Sequence, residues 1–275
     1  MTDIHFLHGC APATPPFNTQ SLRNYVSEEI LRRYLDTRHE KYGTLSETAK
    51  CDALTVDDST IGGARACVLA REAGHEVTLF INPAQIARQR PYWFSRLDAI
   101  LDARTVTALT FEGQKFDLSS SRALRAFRLA LKSRLMALHE CDTDEALNEV
   151  TTLLRAQTAV IAEHARTLSL ESLRKLVAQG VRIGSHGWDH RDIVSLEPDE
   201  LVQDLRLTAQ WIQAHLGCSP IDYAVPYGLD TLPRLAAQEV KGAILLANSK
   251  LAQGFLGNRH WNRSHLTAQL QGRPA

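Results

Sequence analysis

The chain has 275 residues, 44% of them hydrophobic, enough for one α/β domain of barrel type or for two small domains. Lys plus Arg and Asp plus Glu both number 31, and the resulting zero formal charge argues against an extended nucleic-acid footprint. Cys10, Cys51, Cys67, Cys141 and Cys218 form no C-x-x-C pair, no secretory pattern opens the chain and no apolar run nears the ~20 residues of a membrane span, so the expectation is a reduced, cytoplasmic protein.

In chain order, residues 4–7 read as a first strand, and the prolines of 11–16 as a loop. Ser27 reads as the N-cap of a helix running to 41, with Ile30, Leu31, Tyr34 and Leu35 on its inner face and Gly43 as its stop. The apolar run 53–56 reads as a buried strand that ends on two adjacent carboxylates, Asp57 and Asp58, before a helix over 61–73 closed by Gly74. Residues 76–81 are another strand, ended by Asn82-Pro83. A helical segment near Leu101, a hairpin over 106–118 around Glu112-Gly113, and helices over 122–138 and 144–165 follow. The stretch 91–165 is expected to be an insertion covering one side of a single domain that spans 1–275.

Beyond it come a helix over 169–179, a strand over 181–185, a helix over 195–216 with Pro198 in its first turn, a short strand over 223–225, a helix capped by Asp230 and a strand over 243–247. Strand-then-helix order repeated in this way implies parallel strands with helices outside.

Three stretches carry chemistry. Two carboxylates at the carboxyl end of a strand sit where α/β folds place their sites, although Asp58 or Ser59 could equally serve as a plain helix cap. His186 and His190 stand four positions apart just past a strand; with one carboxylate they would make a three-ligand metal site with an open position, and alone they are a pair of surface histidines. Tyr223-Ala224-Val225-Pro226-Tyr227-Gly228 is a strand that turns sharply. His5, His8, His75 and His164 have no evident partner and read as structural or surface residues.

In that order, Thr55-Val56-Asp57-Asp58-Ser59, Ser185-His186 with His190, and Val225-Pro226-Tyr227-Gly228 resemble the three core motifs of the polysaccharide deacetylase (NodB-homology, carbohydrate esterase family 4) superfamily. Val77 to Ile81 resembles the family strand after the first motif, and the similarity covers roughly 50–85 and 170–230. The resemblance implies a distorted, incomplete (β/α) barrel and metal-dependent removal of an N-acetyl group from an amino sugar. It implies that Asp58, His186 and His190 hold the metal, that Asp57 is the general base and that Tyr227 gives its backbone N–H to the oxyanion. For the general acid, His265 and His260 are the candidates, with Arg263 as a further site residue; a polar tail is the competing reading of that segment.

Three departures stand out. Ser59 replaces a usual glycine, Gly187 a usual serine or threonine that braces the loop, and Ala224 an arginine that in many members orients the base; a subset of the superfamily is small or apolar there.

The residues support the same chemistry on their own. A divalent metal polarises an amide carbonyl and lowers the pKa of a bound water to ~7, and a second carboxylate takes that water's proton. One oxygen and two nitrogen donors suit zinc, with cobalt, nickel or iron also fitting. Two other functions remain open: hydrolysis of a non-sugar C–N bond, amide or cyclic imide or ureide, on the same fold, and a catalytically degenerate carbohydrate-binding member. The expected partner is a small N-acetylated sugar or glycoconjugate intermediate, with no nucleic acid.

Overall fold

The strands over Ile4–Leu7, Ala53–Val56 and Thr78–Ile81 are buried on both faces, as parallel strands covered by helices must be. The computed structural model describes residues 3–12, 25–47, 50–136, 138, 140–192, 195–218, 222–228, 244–247, 254–257 and 260–270. The chain opens with β1 (Ile4–Leu7), then β2 (Cys10–Ala11) paired with β3 (Val26–Ser27). Helix α1 (Glu28–Thr37) is capped by Ser27, whose side chain accepts from the Ile30 N–H; it stops at Thr37 rather than 41, because Arg38 is already extended. Strand β4 (Ala53–Val56), helix α2 (Ile61–Glu72) and strand β5 (Thr78–Ile81) form a strand–helix–strand unit.

The short α3 (Pro83–Arg88) leads into the insertion: α4 (Trp93–Asp102), the hairpin β6 (Ala108–Phe111) and β7 (Gln114–Asp117), α5 (Ser121–Met136) and α6 (Glu140–Leu153). Glu112 and Gly113 both have positive φ, at 48° and 77°, the conformation a two-residue hairpin loop needs to match strand twist. The helix expected to run to 165 ends at Leu153; Arg155 takes a left-handed φ of 48° and the chain continues without helix until a single turn at Glu163–Ala165. Leu97, Phe116, Phe127, Leu131, Leu147 and Leu154 give the insertion a hydrophobic cluster of its own.

The main chain resumes with α7 (Leu170–Ala178), β8 (Arg182–Ser185), α8 (Pro198–Leu216) and β9 (Asp222–Ala224). The N-cap of α8 is Glu197, in a reciprocal capping box with Glu200, and not the Ser195 end that the sequence suggests; Pro198 does occupy the first turn. Strands β10 (Ile244–Ala247), β11 (Gly254–Gly257), β12 (His260–Asn262) and β13 (Ser264–His265) and helix α9 (Leu266–Leu270) complete the described chain; the helix expected after Asp230 lies outside the described residues.

The sheet order is β11-β12-β10-β9-β8-β5-β4-β1-β13, parallel throughout except for β11. Strand β12, next to the β11 edge, and strand β13, at the opposite edge, are separated in sequence by Arg263 alone. One extended run, 260–265, thus pairs first with β10 and then with β1, drawing the two edges together. With β1, β4, β5, β8, β9 and β10, this run makes a curled parallel barrel short of eight strands.

Period-two alternation divides the side chains. Leu54, Val56, Leu79 and Ile81 pack outward with Leu31, Leu35, Leu69, Leu173 and Ile212 of the helices, while Ile4, Ala53, Phe80 and Ala224 form a separate inner cluster. Gly184 permits that inner filling: a Cβ there would run into the Phe80 ring.

Candidate metal and hydrolytic centre

The site lies at the carboxyl ends of β4, β8 and β9, with the last strand crossing behind it. Asp57 continues the inward face of Ala53 and Thr55, and Asp58 follows with a left-handed φ of 66°. Thr60 caps α2, its hydroxyl accepting from the Gly63 N–H at 3.0 Å, so neither Asp58 nor Ser59 is the helix cap and both carboxylates are left for other work. Ser59 has a use in place of the usual glycine. Its Oγ accepts from the Asn82 N–H at 3.0 Å and its own N–H donates to the Tyr92 hydroxyl at 2.8 Å. Tyr92 donates to Asn82 Oδ1 at 2.9 Å, and the Asn82 amide donates to the backbone carbonyls of His186 and Gly187. This buried relay ties the loop carrying Asp58 to the loop carrying His186.

Among the described residues, Asp58, His186 and His190 are a group whose potential ligand atoms all lie within 4.8 Å of one another, and all three are buried. Asp58 Oδ1 is 3.3 Å from His190 Nε2 and 3.7 Å from His186 Nε2, and no hydrogen bond reaches that buried oxygen. The His186 ring is fixed by its second nitrogen: Nδ1–H donates to the Ala224 carbonyl at 2.7 Å, which turns an unprotonated Nε2 toward Asp58, the second-sphere contact that ligand histidines use. Burial pushes the His186 imidazole down to about 4, so it is neutral, as a ligand must be. Burial would raise Asp58, but His190 and the other imidazoles outweigh it and hold the carboxyl below its usual range. A convergent carboxylate oxygen and two imidazole nitrogens, all buried, fit a divalent cation.

Six described non-glycine residues have positive φ, and three of them are Asp58, His190 and Tyr227, at 66°, 63° and 62°. Such strain persists where surrounding structure over-determines it, and it gathers here at the site.

The second histidine's loop is braced differently from the expectation. Gly187 has φ 78°, and an added Cβ would sit 3.1 Å from Asp204 Oδ1. In place of a hydroxyl at 187, Asp204 on α8 accepts from the Trp188 N–H at 2.9 Å through its other oxygen. Asp204→Ala is expected to lower metal affinity by roughly 10-fold, at the lower end of what outer-sphere partners contribute; isothermal titration with Zn2+ checks it, against unchanged far-UV circular dichroism.

Asp57 is 2% exposed, and both of its oxygens are taken by Arg263, at 2.7 and 2.6 Å. Burial opposes its ionisation, but the guanidinium prevails and keeps the carboxyl well below the usual range. The segment read alternatively as a polar tail is therefore built into the interior at Arg263. His265 is half-buried on β13, its ring 4.5 Å from Phe6 and 5.6 Å from His8. His260 is placed in β12, opposite Leu245 of β10. His8, read from sequence as structural or surface, stands just past β1, close enough to Asp57 and Asp58 to interact with both, and its buried Nδ1 meets no hydrogen-bond partner among the described residues. The sequence did hold its signal: like Asp57, it is the polar residue just past an apolar strand run. Tyr227 packs edge-on against His190 at 4.7 Å, and its hydroxyl accepts from Trp93 Nε1 at 2.8 Å.

Beside His190 and Tyr227 lies a recess walled on the far side by Trp93, Leu135, Met136 and Thr143 of the insertion. Arg90 at its edge is held with Arg96 on Asp144.

The barrel is matched by solved structures over nearly its whole length. A Streptococcus pyogenes deacetylase, PplD, in complex with acetate, superposes with a TM-score of 0.59 at 14% identity, covering 96% of this chain and 92% of that one. IcaB from Ammonifex degensii gives 0.55 at 15% identity, over 98% and 94%. A de-N-acetylase from Aggregatibacter actinomycetemcomitans gives 0.53 at 12%, over 95% and 93%. The fold is thus the incomplete (β/α) barrel of the NodB type. The sequence profile of the polysaccharide deacetylase family matches residues 145–242, a stretch holding His186, His190 and Tyr227, so the resemblance carried by the three motifs extends to the fold as a whole.

Proposed function

We propose that this chain is a metal-dependent hydrolase that removes an N-acetyl group from an amino sugar or a glycoconjugate intermediate. The observation that carries this is the convergence of Asp58 Oδ1 with the Nε2 atoms of His186 and His190, with a second ionised carboxylate on the neighbouring residue. Those three residues would hold the cation, zinc first by its donor set and cobalt, nickel or iron by the same donors, and it would supply Lewis acidity to the amide carbonyl and to the attacking water.

The chain's own residues do the rest. Asp57 takes the water's proton. It is ionised at any working pH, and the arginine fork uses one lone-pair direction on each oxygen, leaving another for the water. The Tyr227 backbone N–H donates to the developing oxyanion. A protonated His265, with His8 beside it, gives its proton to the leaving amine, and Asp57 passes the proton it took to solvent, from which the imidazole is recharged, so amide and water become acetate and free amine. The two imidazoles share the end of the barrel where β1 and β13 pair.

The recess ends against the insertion and so favours a short substrate. The free cysteines Cys10, Cys51, Cys67 and Cys218 support a reducing, cytoplasmic setting, where the substrate would be a soluble or carrier-linked intermediate. Acetate release from short N-acetylated amino sugars, measured with Zn2+- or Co2+-loaded protein, tests the reaction and the substrate size. Turnover of monomeric or dimeric substrates is expected. Efficient turnover of long chitin oligomers with none of short ones would refute the size argument, and ring-opened products from cyclic ureides or imides without acetate release would select the alternative hydrolase.

A further inference from the structure

Arg263 is the one residue between β12 and β13, the two halves of the run that draws the barrel's edges together. Its side chain is 0% exposed. The guanidinium donates Nη1–H to Asp57 Oδ1 at 2.7 Å and to Thr55 Oγ1 at 3.1 Å, and Nη2–H to Asp57 Oδ2 at 2.6 Å. Thr55 in turn donates to the His5 carbonyl at 3.0 Å, and the guanidinium lies 4.6 Å from the Phe6 ring centroid and 5.8 Å from that of Phe80. Position 224, on the opposite side of the interior, carries no side chain that could reach the carboxylate. It is an alanine packed with Phe80, and Phe80 fills the space that Gly184 leaves open.

Two planar groups matched oxygen to nitrogen, with a third hydrogen bond to Thr55, fix the Asp57 carboxylate in rotation as well as in position. A lysine would hold the charge but not the plane. A fully buried ion pair is at best weak evidence of stabilisation, since taking two charges out of water costs much of what their attraction returns. Its placement on the carboxylate beside the proposed metal ligand points to orientation as its use.

We propose that Arg263 is the positioning residue for Asp57, delivered by the final strand from across the barrel, so that the hydrolytic site is complete only once that strand has closed the sheet. This rests on the hydrolytic reading above.

The test is a cycle of Arg263→Lys and Asp57→Asn, each variant first checked for folding and metal content. Arg263→Lys is expected to lower kcat by roughly 10–100-fold, the cost of a misplaced catalytic group, with KM and metal content within about twofold of the parent. In the Asp57→Asn background the same change is expected to alter kcat by less than about twofold, because the group it orients is gone. Equal losses in both backgrounds, or a fall in Tm with no change in kcat, would make Arg263 a structural residue and overturn the proposal. If the parent protein turns over no acetylated substrate, the hydrolytic reading falls and a second measurement decides the first half of the proposal. Crystal structures of the parent and of Arg263→Lys should then show the Asp57 carboxylate turned out of its parental plane; an unmoved Asp57 would overturn the positioning role independently of activity.

Discussion

His186→Ala protein is expected to lose most of its bound divalent metal, against about one per chain in the parent, the stoichiometry of a three-ligand site with one open position. The parent value follows from three buried ligand atoms that lie within 4.8 Å of one another. Removing His186 takes away one donor and also frees the Ala224 carbonyl, whose partner is the His186 Nδ1–H at 2.7 Å. Asp58 and His190 alone form a two-ligand site, which a chelator strips readily. Metal analysis of the dialysed parent, of His186→Ala and of the His186→Ala, His190→Ala double variant decides the matter. Full occupancy in the double variant would mean that the metal sits elsewhere and that the buried Asp58 cluster is only a polar core. Circular dichroism on the same samples separates loss of metal from loss of fold, because a buried imidazole replaced by alanine leaves a polar cavity between β8 and β9.

Much of this site could be read along the chain because its parts are local. Asp57 and Asp58 end an apolar run, His186 and His190 follow another, and Glu112-Gly113 announces its hairpin through a turn whose φ values few residue pairs adopt. What escaped the sequence is non-local or conformational. Arg263 meets Asp57 across 206 positions, and His8 meets His265 only because β1 pairs with the last strand; neither contact leaves a periodic trace. The left-handed backbones of Asp58, His190 and Tyr227 are held by tertiary packing against the preference of their own side chains, so no local rule announces them. Helix ends differ from the sequence pattern for a related reason. Residues 154–165 contain nothing that forbids a helix, yet the chain must leave α6, cross to α2 and pair Thr60 with Thr167. The apparent deficits at 187 and 224 were real in sequence and answered elsewhere in space, by Asp204 for the first and Arg263 for the second.

Asp57→Asn is expected to lower kcat by ~10²–10⁴, the usual value of a positioned general base, while leaving the metal in place. The geometry separates the two carboxylates: Asp58 faces the histidines and Asp57 faces the arginine. The amide keeps the size of the side chain and one accepting oxygen but cannot take a proton from water at neutral pH. It also offers an NH2 group where Arg263 Nη2 donates, so the buried guanidinium is left half-paired. Removing one partner of a buried pair costs ~3–5 kcal/mol, so a lower Tm is expected, and the rate must be referred to the folded fraction at low temperature. Asp58→Asn should behave differently. It loses metal along with rate, because an amide oxygen is a weaker ligand than a carboxylate, and it leaves the Arg263 pair intact and the Tm of the metal-free protein nearly unchanged. Metal content, rate and melting measured on the same preparations therefore give each carboxylate its own signature. If Asp57→Asn strips the metal and Asp58→Asn keeps it, the two roles are reversed. If neither change touches the rate on a substrate the parent turns over, the pair is a structural feature of the strand end and the chemistry must be sought around His8 and His265.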